Sequence, residues 1–295
     1  MDTRAEDPRP VVGVDVGATL AKLAVRDPGG GLRLDFLPAH TPEAVSHRVR
    51  ALAPRSIGVT GCGATALESH LDQTPHRLVE FEAWARGSRE LLRSQGHDDI
   101  SPFLLVSVGT GTSVLRIEGE RVTRIGGTGL GGGTVLGLGV ALTGCMSYAE
   151  LCDLARRGRR GNVDLRVGDI YGEGEIALPA EATASAFGSL ARWLVGEPER
   201  EARPASDPSR REDLAAAVMG LVGENVALIT CGLAGGADVR RVVFGGATLL
   251  GNETLRAVLA GVTAAMGREP LMLDQAGHAG AVGALGLAAA APSPA

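Results

Sequence analysis

The apolar run Val11-Val12-Gly13-Val14 leads into the turn "DVGATLAK". The segments "KLAVRD" and "LRLDFLPA" then flank "DPGGG". Short apolar runs bounded by glycine and aspartate read as strands joined by tight turns, so an antiparallel three-stranded meander with a Gly-rich first turn is expected. "TPEAVSHRVRAL" predicts a helix with Thr41 as N-cap, Pro42 at the first helical position and Glu43 in the first turn. "SIGVTGCGA" reads as a short strand ending in a glycine loop, and "VEFEAWARGSRELLRSQG" as a helix closed by Gly96.

The pattern restarts near residue 103. "FLLVSVG", "VLRIEG" and "ERVTRIGGTG" are three further strands, the first two joined by "TGTS". Strand, glycine turn, strand thus occurs twice, which predicts a duplicated α/β core with a cleft between two similar halves. A boundary between residues 102 and 103 separates a first lobe, 1–102, from a second, 103–295. Beyond that, helices are expected over 135–158, 183–195, 210–234 and 252–266, with strands at "VRRVVFGG" and "EPLMLDQ" and a closing small-residue helix "AGAVGALGLAAA". The polar, Pro-bearing stretch from Gly196 to Asp213 reads as an exposed loop, and the tail "AAAAPSPA" as a frayed end.

Composition narrows the class. With 29 Lys+Arg against 34 Asp+Glu, the net charge of −5 and the lack of a dense basic run argue against a nucleic-acid partner. The cluster Arg156-Arg157-Gly158-Arg159-Arg160 reads as a solvated helix end. Cys62, Cys145, Cys152 and Cys231 make no metal or disulfide spacing, so reduced thiols in a cytoplasmic protein are expected. "MDTRAEDPRP" lacks a signal-peptide apolar core. No apolar run reaches the roughly 18 residues of a membrane span without glycine or polar breaks, so no membrane partner is expected.

Several turns carry candidate chemistry. In "VDVGATLAKLAV", Asp15 can hold magnesium through water, Gly17 permits close approach to a phosphate, Thr19 offers a hydroxyl and Lys22 a charge. Gly109, Thr110, Gly111, Thr112 and Ser113 line up amides and hydroxyls for a second phosphate. In "RIGGTGLGGGT", Arg124 supplies planar donors for an anionic oxygen, and Gly131, Gly132 and Gly133 precede a helix whose first amides are free to meet an anion. Glu80 or Glu82, at the start of a helix, could act as a general base. Gly245 and Gly246 end a strand where, in a two-lobed nucleotide binder, adenosine would rest. Each turn alone is also an ordinary hairpin or strand-to-helix turn, and His278 alone reads as a cap or surface residue.

Taken together these segments resemble the type II pantothenate kinases, members of the superfamily of acetate kinases, sugar kinases and actin. The resemblance runs from about Val11 to Leu287 and rests on "DVGATLAKL", "VTGCGA", "VEFEA", "VGTGTSVLRI", "RIGGTGLGGGTVLGLGVALTG", "NVDLRVGDIYG" and "LPAEATASAFG". It implies a duplicated ribonuclease H-like, actin/hexokinase-type fold with a central nucleotide cleft. It implies ATP and Mg²⁺ as cofactors, pantothenate as acceptor, a homodimer joined by helices of the second half, and coenzyme A or acyl-CoA as a possible feedback ligand. By resemblance Glu80 is the general base, and Arg124 orients pantothenate and the transferred phosphoryl group. Thr110, Thr112 and Ser113 touch substrate and phosphate, with Gly61 and Gly63 on the acceptor side. Asp15, Gly17, Ala18, Thr19 and Lys22 form the ATP and magnesium side. Two positions depart from the family pattern. Ala18 replaces a glycine and fits only with a negative φ, and Cys62 replaces the middle glycine of the acceptor loop. They leave room for a kinase of another small hydroxyl acceptor, or for a nucleotide or acyl-CoA sensor.

Overall fold

The computed structural model describes residues 7–291, apart from 40, 99–100, 173–174, 176 and 196–208. Most of the loop expected at 196–213, and residues 292–295 of the expected tail 288–295, therefore lie outside the described residues; Arg211–Asp213 belong to a helix, and Ala288–Ala290 close the last helix and are not frayed.

The first half contains β1 (Val11–Val16), β2 (Leu20–Arg26), β3 (Leu32–Pro38), α1 (Pro42–Ala51), β4 (Ser56–Thr60), α2 (Ala64–Glu68), β5 (His76–Arg77) and α3 (Glu80–Ser94). The second half adds β6 (Phe103–Val108), β7 (Thr112–Glu118), β8 (Arg121–Thr128), α4 (Gly132–Thr143) and α5 (Tyr148–Arg157). It continues with β9 (Leu165–Arg166), β10 (Thr183–Ser185), α6 (Gly188–Val195), α7 (Arg211–Gly236), β11 (Arg241–Gly245), α8 (Glu253–Ala265), β12 (Glu269–Met272) and α9 (Ala279–Ala290). The two main sheets run β3-β2-β1-β4-β5 and β8-β7-β6-β11-β12. In each, an antiparallel meander is extended by two parallel strands. The repeat expected from the sequence is thus a repeat of topology.

Strand alternation assigns the faces of the first sheet. Val12, Val14 and Val16 of β1 join Ile57 and Val59 of β4 in a core with Val45 and Val49 of α1 and Leu67 of α2. The opposite face presents Gly13, Asp15 and Gly58, and α9 packs there. A Cβ on Gly13 would lie 2.1 Å from the Ala281 carbonyl oxygen, and one on Gly58 2.0 Å from that of Ala284. Small residues let backbone meet backbone, and α3 closes on the other side of α9 by the same means, at Gly87 and Gly283. The chain's last helix therefore completes the first sheet's layer. The second sheet packs on a larger core that includes α7, which also meets α4, α5 and α8. By length and composition α7 could cross a membrane; its apolar residues are mostly buried against these neighbours.

Some expectations need correction. The helix expected over 135–158 is two helices, since Gly144 takes φ 69° and ends α4, and Ser147 caps α5. Over 183–195 only Gly188–Val195 is helical. Thr41 stands at the N-cap of α1, but its hydroxyl donates to the Pro38 carbonyl and not to the helix. Arg160 is no solvated helix end, for it pairs with Glu224 of α7 and with Asp164.

Candidate active site

The β1–β2 turn closes with a Gly17 N–H to Leu20 carbonyl bond of 3.1 Å. Antiparallel pairing sets Lys22 directly across from Asp15, with Nζ to Oδ2 at 3.5 Å. Asp15 is only 3% exposed, so its charge is held in a nearly dry wall beside one cation. Two glycines make room for it: a Cβ on Gly280 would lie 2.5 Å from Oδ2, and one on Gly61, which takes φ +92°, 2.6 Å from Oδ1. Gly63 packs against Val16. Gly61 and Gly63 thus stand behind the first hairpin. Ala18 is not among the positive-φ residues, so its Cβ fits the turn.

Asp15, Gly17, Ala18, Thr19 and Lys22 face Gly109 to Ser113 across a cleft of about 670 Å³. Glu80, Arg124, Gly132, Gly133, Gly245 and Gly246 also line it. Glu80 opens α3 toward the cleft, whereas Glu82 is exposed and does not line it. Burial raises the Glu80 carboxyl above its ordinary pKa, the negative charge of Asp15 adds to this, and Lys22 opposes it. That combination makes Glu80 a stronger base than an ordinary carboxylate, as a proton acceptor requires.

Arg124 reaches the cleft because β8 is irregular. Val114 pairs with Gly126 but Leu115 with Arg124, leaving Ile125 as an extra residue. Such a bulge re-aims side chains. The guanidinium lies over Gly127, where a Cβ would come within 2.7 Å of Nη2. Among the described residues of the cleft, Lys22 is ion-paired and Arg124 is not.

The glycines after Arg124 serve a different purpose from the one expected. The Gly132 and Gly133 amides donate to the carbonyls of Gly109 and Thr110, at 2.7 and 2.9 Å. They are therefore spent inside the protein and are not free for an anion. The N-terminus of α4 clamps the second hairpin. Gly131 lies behind it, where a Cβ would meet the Thr110 carbonyl oxygen at 2.7 Å.

Trp84, Tyr148, Thr248 and Gly280 also line the cleft, and no motif marked them. Trp84 was legible as the i+4 neighbour of Glu80 on one helix face; the others arrive by long-range packing. His278 is not a surface residue. It is 3% exposed, its Nε2 meets the Asp35 carbonyl at 3.1 Å, and its ring packs 4.1 Å from that of Phe36. Burial pushes its pKa below the ordinary imidazole value.

The chain is 34% identical over 277 residues to the type II pantothenate kinase of Oceanobacillus iheyensis, covering 93% of this chain and 98% of that protein. It is 32% identical over 274 residues to the type II pantothenate kinase of Staphylococcus haemolyticus, with 93% and 98% covered. Among solved structures it is similar in fold to component A of the Acidaminococcus fermentans (R)-2-hydroxyglutaryl-CoA dehydratase, with TM-score 0.59, 18% identity, and 95% and 97% of the two chains covered. It is similar too to a ROK family glucokinase from Streptomyces griseus, solved with glucose and AMPPNP, with TM-score 0.57, 14% identity, and 96% and 100% covered. These likenesses establish the duplicated ribonuclease H-like fold of the actin and hexokinase type. The Fumble family model matches residues 59–287, and with these relatives it shows that the chain belongs to the Fumble family, the type II pantothenate kinases.

Proposed function

We propose that this protein transfers the γ-phosphoryl group of ATP to pantothenate, giving ADP and 4′-phosphopantothenate, the first step toward coenzyme A. Family membership supports the reaction. The observation that carries the residue assignment is the convergence of Glu80, Arg124 and two glycine hairpins on one cleft.

Glu80 takes the proton of the primary hydroxyl as its oxygen attacks the γ-phosphorus, and the bond to ADP breaks. Arg124 holds the anionic oxygens in the fork geometry that only a guanidinium offers. Lys22 and the hairpins hold the phosphates, so the residues act mainly by positioning and charge. Among the described residues no group of three or more His, Cys, Asp or Glu side chains could hold a metal. A single buried carboxylate fits Mg²⁺, which keeps waters and takes its other ligands from phosphates. Asp15 would hold that ion, which when bound neutralises charge on the transferred phosphoryl group.

We also propose a cytoplasmic homodimer. Leu142 and Met146, at and just beyond the end of α4, and Leu228 and Ile229 of α7 are exposed apolar side chains of the second half, which supports an interface there. Coenzyme A and its thioesters join an adenine nucleotide to a pantothenate-derived chain, and are proposed as ligands of the same cleft.

The test is ADP release by purified protein with Mg·ATP, with and without pantothenate. Glu80→Ala should lower kcat by roughly 10²- to 10⁴-fold with ATP affinity unchanged. Wild-type turnover should fall as pH drops through the raised Glu80 pKa, because the protonated acid cannot accept a proton. A variant with near-normal turnover refutes the role of Glu80. Turnover with another hydroxyl acceptor and none with pantothenate refutes the acceptor.

A further inference from the structure

One of the two hairpin carbonyls held from behind takes a second bond. Gly109 C=O accepts the Gly132 amide at 2.7 Å and the Thr248 hydroxyl at 2.8 Å. The fit is tight, since a Cβ on Gly132 would lie 2.3 Å from Thr248 Oγ1. Thr248 is 7% exposed, so its hydroxyl has exchanged water for this bond.

Thr248 sits in the 3-10 turn Ala247–Leu249 that follows β11. Its own carbonyl accepts the Tyr148 hydroxyl at 2.5 Å. That phenol oxygen accepts Asn252 Nδ2 at 2.9 Å. Asn252 is fully buried and caps α8, its Oδ1 accepting the Leu255 amide at 3.0 Å. Burial raises the Tyr148 pKa, so the phenol stays a donor. A continuous chain of bonds therefore runs from the cap of α8, through α5 and the turn after β11, to the hairpin Gly109–Gly111. Both Tyr148 and Thr248 line the cleft.

We propose that Tyr148 and Thr248 are positioning residues that pre-organise the second glycine hairpin for the nucleotide. Asn252 orients the phenol, the phenol fixes the turn, and the Thr248 hydroxyl pins Gly109. The proposal rests on the reading that this cleft takes ATP. The physical reason is entropy: a hairpin with two glycines in three residues has many conformations to lose on binding, and fixing it beforehand removes that cost. The chain ends on Gly109, on the phosphate side, whereas Thr110, which by resemblance also touches the acceptor, is held separately by the Gly133 amide, so the effect falls on ATP far more than on pantothenate.

The experiment compares full-length wild type with Thr248→Val, Thr248→Ser, Tyr148→Phe and the Tyr148→Phe/Thr248→Val double variant. Steady-state KM is measured for both substrates, and affinity for a non-hydrolysable ATP analogue by calorimetry. Thr248→Val and Tyr148→Phe should each raise KM for ATP about five- to tenfold, the effect of losing one buried neutral hydrogen bond. KM for pantothenate should stay within about twofold, and Thr248→Ser, which keeps the hydroxyl, should stay near wild type. Both lesions break one chain, so the double variant should be less than about twofold worse than the poorer single variant. An unchanged affinity for ATP, an equal rise for both substrates, or a lower Tm with unaltered KM overturns the proposal. Calorimetry separates the two readings: a wild type that binds the analogue but never phosphorylates pantothenate sinks the pantothenate reaction alone, and one that binds no analogue sinks both.

Discussion

Gly58→Ala tests whether the tertiary contact of α9 sets the active site. Gly58 lies in β4, and a Cβ there would sit 2.0 Å from the Ala284 carbonyl oxygen. Ordinary contact begins near 3.4 Å, so α9 would have to withdraw by about 1.4 Å. It has nowhere to go. On its far side a Cβ on Gly87 of α3 would already be 1.8 Å from the Ala279 carbonyl oxygen. Overpacking costs about 1–3 kcal/mol, and backbone against backbone belongs at the upper end. At about 2–4 °C per kcal/mol for a chain of this order of size, Tm should fall by roughly 6–12 °C. Activity should fall as well, because α9 carries Gly280 against Asp15. A displacement of about 1 Å near reacting groups costs on the order of 10²-fold in rate. The assay pairs thermal unfolding with kcat/KM for ATP. Gly261→Ala is the control, since this α8 position has nothing within 4 Å, and alanine there should add about 0.5–1 kcal/mol. A Gly58→Ala protein that melts with wild type, or that melts lower with full activity, refutes the reasoning.

Other outcomes follow from the same geometry. Arg124→Lys should lose most activity, about tenfold or more, because an ammonium cannot reproduce the guanidinium fork; kinetics near wild type would show that only charge matters there. Cys62 is exposed at the cleft while Cys145, Cys152 and Cys231 are buried, so a thiol reagent should label Cys62 first and pantothenate should slow it. Mass spectrometry of the labelled peptides reads this, and labelling unaffected by pantothenate would place the acceptor elsewhere. Burial raises Asp164 to about 6 from 3.8. The folded protein thus binds the proton more tightly than the unfolded chain, so this group's contribution to stability falls as pH rises from about 4 to about 6. Asp164→Asn keeps the acceptor for the Phe187 amide and should remove that slope, up to about 3 kcal/mol, in denaturant unfolding at a series of pH values.

The sequence by itself determined the local pieces. Both meanders, the helix that begins at Glu80 and turns off at Gly96, and the glycine hairpins are written in contiguous residues, because turns and alternation act over a few positions. The duplication was legible for the same reason, as were Asp15, Lys22, Glu80 and Arg124, whose neighbours carry recognisable patterns. Short elements such as α2 and β5 were not, since five and two residues give no period to read. The break at Gly144 needs a left-handed φ that periodicity cannot reveal. What each glycine is for was decided only in three dimensions. Gly61 and Gly280 make room for Asp15, Gly127 for Arg124, and Gly132 and Gly133 spend their amides on the second hairpin. Tyr148, Thr248 and Asn252 meet across about a hundred residues of chain, and α9 returns from the C-terminal end to the first sheet. Such contacts arise from packing between distant segments, where the energy depends on which surfaces meet and not on which residues are adjacent.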